Sequence, residues 1–309
     1  MMEPNGGDQF RISGGIQGTR LGRGLDHPPE RGIICPMSIE FSSPPVALTI
    51  AGSDCSAGAG LQADLKTFSA LGVHGLTAVT CVVSETARVV EEVFPLPPAL
   101  VAGQVSLLAR SFPLGAVKTG MLFSAPHIEA VVEALSGLAC PLVVDPVMMA
   151  STGDPLIEPA AIDLYRRVLL PRATLATPNL DEASVLLDGR NIERPSLAAT
   201  AVELAERYGT AFLLKGGHLR DGRATDILAH PGCGRVETFE TDFIEGVTTH
   251  GTGCTYSAAI AAGLAKGLPI RGAVAAAKEF ITTAIARSLA WTGSTGRIEA
   301  LNQSPGTVG

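Results

Sequence analysis

From Val46 onward, short apolar runs and helical runs take turns along the chain. That alternation limits the fold more than any other feature of the sequence. "VALTIAG", "LTAVTCVV", "GAVKTGM", "PLVVDPVM", "ATLATPN" and "AFLLKGG" read as strands, and "ATDILAH" with "RVETFET" reads as a β-hairpin. The segments between them are helical. "GAGLQADLKTFSALG" places Leu61, Leu65, Phe68 and Leu71 on one face. "PPALVAGQVSLLARSF" opens on prolines, which a first helical turn tolerates. "APHIEAVVEALSGL", "PAAIDLYRRVLLPR", "LDEASVLLDG", "SLAATAVELAERYG", "TYSAAIAAGLAKG" and "IRGAVAAAKEFITTAIARSLA" continue the helical series. Strands that are apolar on both faces need helices on both sides, so the expected fold is α/β with a mostly parallel central sheet. A chain of 309 residues, 46% hydrophobic and 17% charged, supplies the core for it.

Several functions are excluded by what the rest of the chain lacks. Net charge is −7 and the basic residues are scattered, which leaves no stripe for a nucleic acid. No apolar run reaches the roughly 18 residues that a membrane-spanning helix needs. None of the six cysteines stands in a C-x-x-C pair, so they read as free thiols of a reducing, cytoplasmic protein. Residues 1–44 are rich in Gly, Arg and Pro without periodicity and are expected to be a disordered extension, with Met37 as the natural start. Residues 45–295 are expected to form one domain, and 296–309 a flexible tail.

In open parallel sheets ligands bind beyond the carboxyl ends of the strands. Here those ends carry the polar residues: Gly52-Ser53-Asp54, Lys118-Thr119-Gly120, Asp145-Pro146, Thr177-Pro178-Asn179 and Lys215-Gly216-Gly217. The stretch "HGTGC" adds the strongest single motif. Gly251-Thr252-Gly253 forms a turn that opens an apolar helix, and such a turn aims several N–H groups at an anion. Other stretches are ambiguous alone. Asn179 and Glu182 could face a hydrated Mg²⁺ or phosphate, but the same pair is the signature of an ordinary N-cap. Asp145 at the end of an apolar strand needs a charge partner or a metal shell, or it caps a loop.

Together and in this order, "TIAGSDCSAGAGLQADLKTFSALGVHG", "VKTGML", "VVDPVM", "TPNLDEASVLL", "LLKGGH" and "THGTGCTYSAAIAAGLAKG" resemble the hydroxymethylpyrimidine/phosphomethylpyrimidine kinases of the ribokinase-like superfamily. The resemblance implies a three-layer α/β/α fold, a homodimer, ATP with Mg²⁺, and a small heterocyclic alcohol as acceptor. It implies that Gly251, Thr252, Gly253 and Cys254 form the catalytic loop. Gly52, Asp64, Glu85, Met121 and Val147 would bind the pyrimidine; Lys215, Asn179 and Thr249 would bind ATP. Asn179, Glu182 and Asp145 would serve the metal. Cysteine stands where most sugar kinases of the superfamily carry an aspartate base. Its place at a helix N-terminus is expected to lower its thiol pKa.

Two positions depart from the family pattern. Glu85 falls where the family has a glutamine, and an ionised glutamate offers acceptors only. Ser151 replaces a lysine that could face phosphate, which is expected to weaken the second phosphorylation. A pyridoxal kinase of the same fold, or a silent pyrimidine or nucleotide sensor, are the alternatives.

Overall fold

The structure is a computed structural model and describes residues 43–148, 157, 159–217, 222–247, 250–294 and 296–304. The expectations for residues 1–42, including Met37, and for Ser151 and Thr249 lie outside the described residues.

The alternation produces β1 (Val46–Asp54), α1 (Gly60–Ala70), β2 (His74–Thr86), β3 (Val89–Pro95), α2 (Pro98–Ser111), β4 (Leu114–Thr119), α3 (Ala125–Ala134) and β5 (Leu142–Val144). Then come α4 (Pro159–Leu164), β6 (Leu175–Ala176), α5 (Leu180–Leu186), α6 (Leu197–Tyr208), β7 (Ala211–Lys215), β8 (Arg223–Ala229) and β9 (Val236–Asp242). The chain closes with α7 (Thr252–Ala265), α8 (Ile270–Ala286) and the hairpin β10 (Leu289–Gly293) and β11 (Gly296–Ala300). The main sheet runs β3-β2-β1-β4-β5-β6-β7-β8-β9. From β2 to β7 every pairing is parallel, while β3, β8 and β9 join antiparallel at the two edges.

Successive residues of the inner strands feed opposite cores. Leu48, Ile50, Val117, Val144, Phe212 and Leu214 belong to one cluster. Ala47, Ala116, Val143, Leu175 and Leu213 belong to the other, under α7 and α8. This period-two division is why those strands read as unbroken apolar runs. In α7 everything from Thr255 to Leu264 is buried. Its small side chains let α8 approach: a Cβ on Gly263 would lie 2.9 Å from that of Ala273. Among the described residues no helix is long and apolar enough to cross a membrane.

The structure departs from the sequence reading in three places. "VVEEVFP" is an edge strand, β3, which pairs Val82 with Phe94 and Glu85 with Val90. "YRRVLLPR" continues α4 as a π turn and a 3-10 turn instead of a regular helix. The tail expected from residue 296 instead opens with β11, paired from Leu289–Ala300 to Gly293–Gly296, and Leu301, Asn302 and Gln303 are buried. Apolar contact of Leu301 with the α7/α8 core anchors it.

Candidate active site

Strand order turns at β1, whose neighbours β2 and β4 lie on opposite sides, and the crevice beyond the carboxyl ends opens there. Two buried ion pairs lie at these strand ends, and both stand near the glycine turn that starts α7. In the first pair, Lys215 Nζ lies 3.1 Å from Asp145 Oδ1. Thr177 and Ser257 each donate a hydroxyl to the Asp145 carboxylate at 3.2 Å. Burial works against the Asp145 charge, but Lys215, Lys118 and the hydrogen bonds from Lys215 and Thr177 hold its carboxyl below the usual range. Burial likewise works against the Lys215 charge, and Asp145 and Glu182 more than restore it. The turn closes on this pair. A Cβ on Gly253 would stand 3.2 Å from Lys215 Nζ and 3.5 Å from Asp145 Oδ2.

Asn179 and Glu182 form a complete capping box at the start of α5. The Asn179 side chain accepts from the Glu182 N–H, and Glu182 Oε2 accepts from the Asn179 N–H, both at 2.8 Å. Asn179 also bridges to Lys215 at the edge of β7, which delivers Glu182 to the first ion pair. Burial raises the Glu182 carboxyl to about 8; Lys215 opposes this and Asp145 adds to it.

The second pair is fully buried: Lys118 Nζ donates to Asp64 Oδ2 at 2.8 Å, and the Thr49 hydroxyl donates to the same oxygen at 2.6 Å. Burial raises the Asp64 carboxyl, against the pull of Lys118. Asp64 Oδ1 is buried with no hydrogen-bond partner among the described residues. Cys254 lies against this pair and takes the Gly60 backbone N–H. The sequence expectation of a lowered thiol pKa is overturned. Burial pushes Cys254 up to about 12, and the charges of Asp64 and Asp145 add to it, so Lys118 and the helix N-terminus do not prevail.

The other acceptor-side residues gather at the same end. A Cβ on Gly52 would lie 2.9 Å from Cys81 Sγ and 3.0 Å from Met121 Cε, so glycine there leaves a slot walled by both. Val147 follows β5, with its N–H on the Asp145 carbonyl at 2.8 Å. Glu85, near the end of β2, is half-buried. Its N–H reaches Cys55 Sγ at 3.3 Å, and the Cys55 thiol reaches its carbonyl at 3.2 Å. Burial and the charge of Asp54 raise its carboxyl; His250 lowers it.

Three features were not assigned a role from the sequence. Lys118, named there only as a polar strand end, is fully buried. Asp54 accepts from the N–H groups of Ser56, Gly58 and Ala59 and from His250 Nε2 at 3.1 Å. Burial opposes that carboxylate, but His250 and the other donors bring it down to about 2. A cleft that Lys215 and Gly253 help to line also takes in Phe243, Ile244, Ile281 and the buried ion pair Asp226–Lys278, 2.6 Å apart. Lys278 was legible: it falls on the stripe of Val274 and Ile281 in α8, where a lysine needs a buried partner.

Comparison with known proteins fits this geometry. A sequence model of the phosphomethylpyrimidine kinase family matches residues 54–299. The hydroxymethylpyrimidine/phosphomethylpyrimidine kinase of Streptomyces coelicolor is 42% identical over 260 residues, 83% of this chain and 94% of the relative. Among solved structures, the ADP complex of Bacillus subtilis pyridoxal kinase is similar with a TM-score of 0.76 at 35% identity, covering 85% of this chain and 98% of that one. The phosphomethylpyrimidine kinase of Clostridium difficile gives 0.68 at 37% identity, covering 78% and 99%.

Proposed function

The chain belongs to the phosphomethylpyrimidine kinase family, and we propose that it phosphorylates 4-amino-5-hydroxymethyl-2-methylpyrimidine with ATP, then its monophosphate, giving the pyrophosphate for thiamine synthesis. We take it to act as a homodimer, as the sequence resemblance implies, and in the cytoplasm, as its unpaired cysteine spacing suggests. One observation carries the reading: the Gly251–Cys254 turn stands against two buried ion pairs, Lys215–Asp145 at Gly253 and Lys118–Asp64 at Cys254. A phosphoryl group passing between donor and acceptor needs a cradle of N–H groups flanked by fixed cations.

In this reading ATP occupies the cleft beside Phe243 and Ile281, with its phosphates toward Lys215. The first bond of the α7 ladder is Thr255 N–H to the Gly251 carbonyl, so the Gly253 and Cys254 N–H groups stand ahead of it. They point to the transferring oxygens. The acceptor lies over Gly52 between Met121 and Val147. Asp64 Oδ1, a buried acceptor without a donor among the described residues, takes an N–H of the aminopyrimidine edge. Cys254 holds the hydroxymethyl group as a neutral thiol. A loose transition state asks little of a base, so placement and charge stabilisation supply the rate.

Mg²⁺ takes one or two protein carboxylates and keeps several waters. The residues present fit such an ion. Glu182 and Asp145 are brought together near Lys215, and Glu182 is pushed to about 8 by burial and by Asp145. A dication relieves that conflict. Asp145, Glu182 and the Asn179 amide would hold it through water, and it would neutralise charge on the phosphate oxygens. Among the described residues no group of three or more His, Cys, Asp or Glu side chains could hold a metal ion.

A second reading, a pyridoxal kinase, draws on the higher TM-score to the B. subtilis enzyme and on Glu85. Glu85 and Asp54 together make this end of the pocket acidic, which suits a protonated ring nitrogen. Formation of ADP with each heterocycle, for the wild type and for Glu85→Gln, tests both readings. The wild type is expected to turn over the pyrimidine faster than pyridoxal, and Glu85→Gln to widen that preference by about tenfold. Faster turnover of pyridoxal by the wild type overturns the first reading. ATP bound but never consumed with either alcohol identifies a sensor.

A further inference from the structure

We propose that Asp54 and His250 are positioning residues that latch the β1–α1 loop onto the turn before α7 and so hold the phosphoryl cradle in shape; this rests on the kinase reading above. Asp54 is buried at the end of β1, and its carboxylate gathers its own loop. Oδ1 accepts from the Ser56 N–H and hydroxyl, both at 2.7 Å. Oδ2 accepts from Gly58 N–H at 3.0 Å and Ala59 N–H at 2.7 Å. The same Oδ2 then accepts from His250 Nε2 at 3.1 Å, across 196 positions of sequence.

His250 immediately precedes the cradle, so the latch acts one residue away from Gly251. The backbones interlock at the same point. Gly251 has φ +80°, and a Cβ on it would overlap the Gly58 carbonyl oxygen. A Cβ on Gly58 would lie 2.8 Å from the His250 ring. Two glycines thus let the loops approach, and one buried charged hydrogen bond fixes how they meet. The Gly60 N–H at the end of the gathered loop is the donor to Cys254. The Asp54 loop therefore touches the cradle at both ends, at Gly251 and at Cys254.

Neither residue touches donor or acceptor in this account. Their loss misplaces the N–H groups without removing a binding contact. His250→Ala and Asp54→Asn in the full chain are expected to lower kcat by about 10- to 100-fold, with KM for ATP and for the pyrimidine changed by less than about threefold. His250→Gln, whose amide can donate to Asp54 from about the same place, is expected to recover most of kcat. The double variant is expected to be no worse than the poorer single, because the two act as one unit. Amide exchange at Gly251–Thr255, read by mass spectrometry without substrates, is expected to quicken by about tenfold in His250→Ala.

Wild-type kcat in a folded His250→Ala, losses that multiply in the double variant, or unchanged exchange at Gly251–Thr255 would each overturn the latch. Should Asp54→Asn fail to fold, the two His250 variants decide. A wild type that forms no ADP with the pyrimidine overturns the kinase reading instead, and the exchange measurement still decides the latch.

Discussion

Cys254 is a neutral thiol in the free enzyme at any ordinary pH, because burial beside two carboxylates outweighs one lysine and a helix N-terminus. In the proposed reading its work is therefore placement. Cys254→Ser keeps a neutral donor there and is expected to retain kcat within about tenfold, where loss of a general base costs about 100-fold or more. The kcat–pH profiles of the two proteins should have the same shape between about pH 6 and 9. A limb present in the wild type and absent from Cys254→Ser would show a titrating thiol. This residue also marks where sequence reading stops. The glycine turn and the cysteine were legible as a unit, since their spacing is local. The sign of the pKa shift was not, because it depends on Asp64 and Asp145, which only the sheet brings to Cys254. Lys118 was undecidable for the same reason: its partner Asp64 is 54 positions away.

At the scale of elements, the start of α5 carries a strained charge inside a sound cap. Glu182 closes the capping box and is also raised to about 8 by burial and by Asp145. An unfolded chain ionises this glutamate near 4.5, while the folded chain keeps it protonated until about pH 8. Its contribution to stability is thus full below about pH 4.5 and declines as pH rises to about 8. Glu182→Gln keeps the cap acceptor and removes the titration. Without nucleotide or divalent cation, its melting temperature relative to wild type is expected to climb by about 2 °C or more between pH 5 and pH 8.5. A difference that stays flat with pH contradicts the placement of Glu182 beside Asp145. The elements themselves were legible wherever both faces are apolar. β3 was hidden because an edge strand does not need that pattern: "VVEEVFP" carries two glutamates and leaves Phe94 62% exposed. The closing hairpin was hidden because β10 and β11 bury little of their own and are held by Leu301 beyond them.

Across the whole molecule, the parallel strands deliver Asp54, Lys118, Asp145 and Lys215 to one edge of the sheet, and α7 sets its N-terminus among them. The ordered strand ends were readable from sequence because parallel topology makes every carboxyl end a neighbour of the others. Which ends pair with which was not readable, since Lys118 reaches across to α1 and Lys215 to the end of β5. In the proposed reading that division into two pairs separates a donor side from an acceptor side, and both phosphorylations use one cradle. Mass spectrometry of the products from one incubation of enzyme, ATP, Mg²⁺ and 4-amino-5-hydroxymethyl-2-methylpyrimidine tests this most directly. The monophosphate is expected to rise first and then give way to the pyrophosphate, with one ADP formed for each phosphate added. ADP formation without any phosphorylated pyrimidine, or no reaction at all while pyridoxal is phosphorylated, would contradict it.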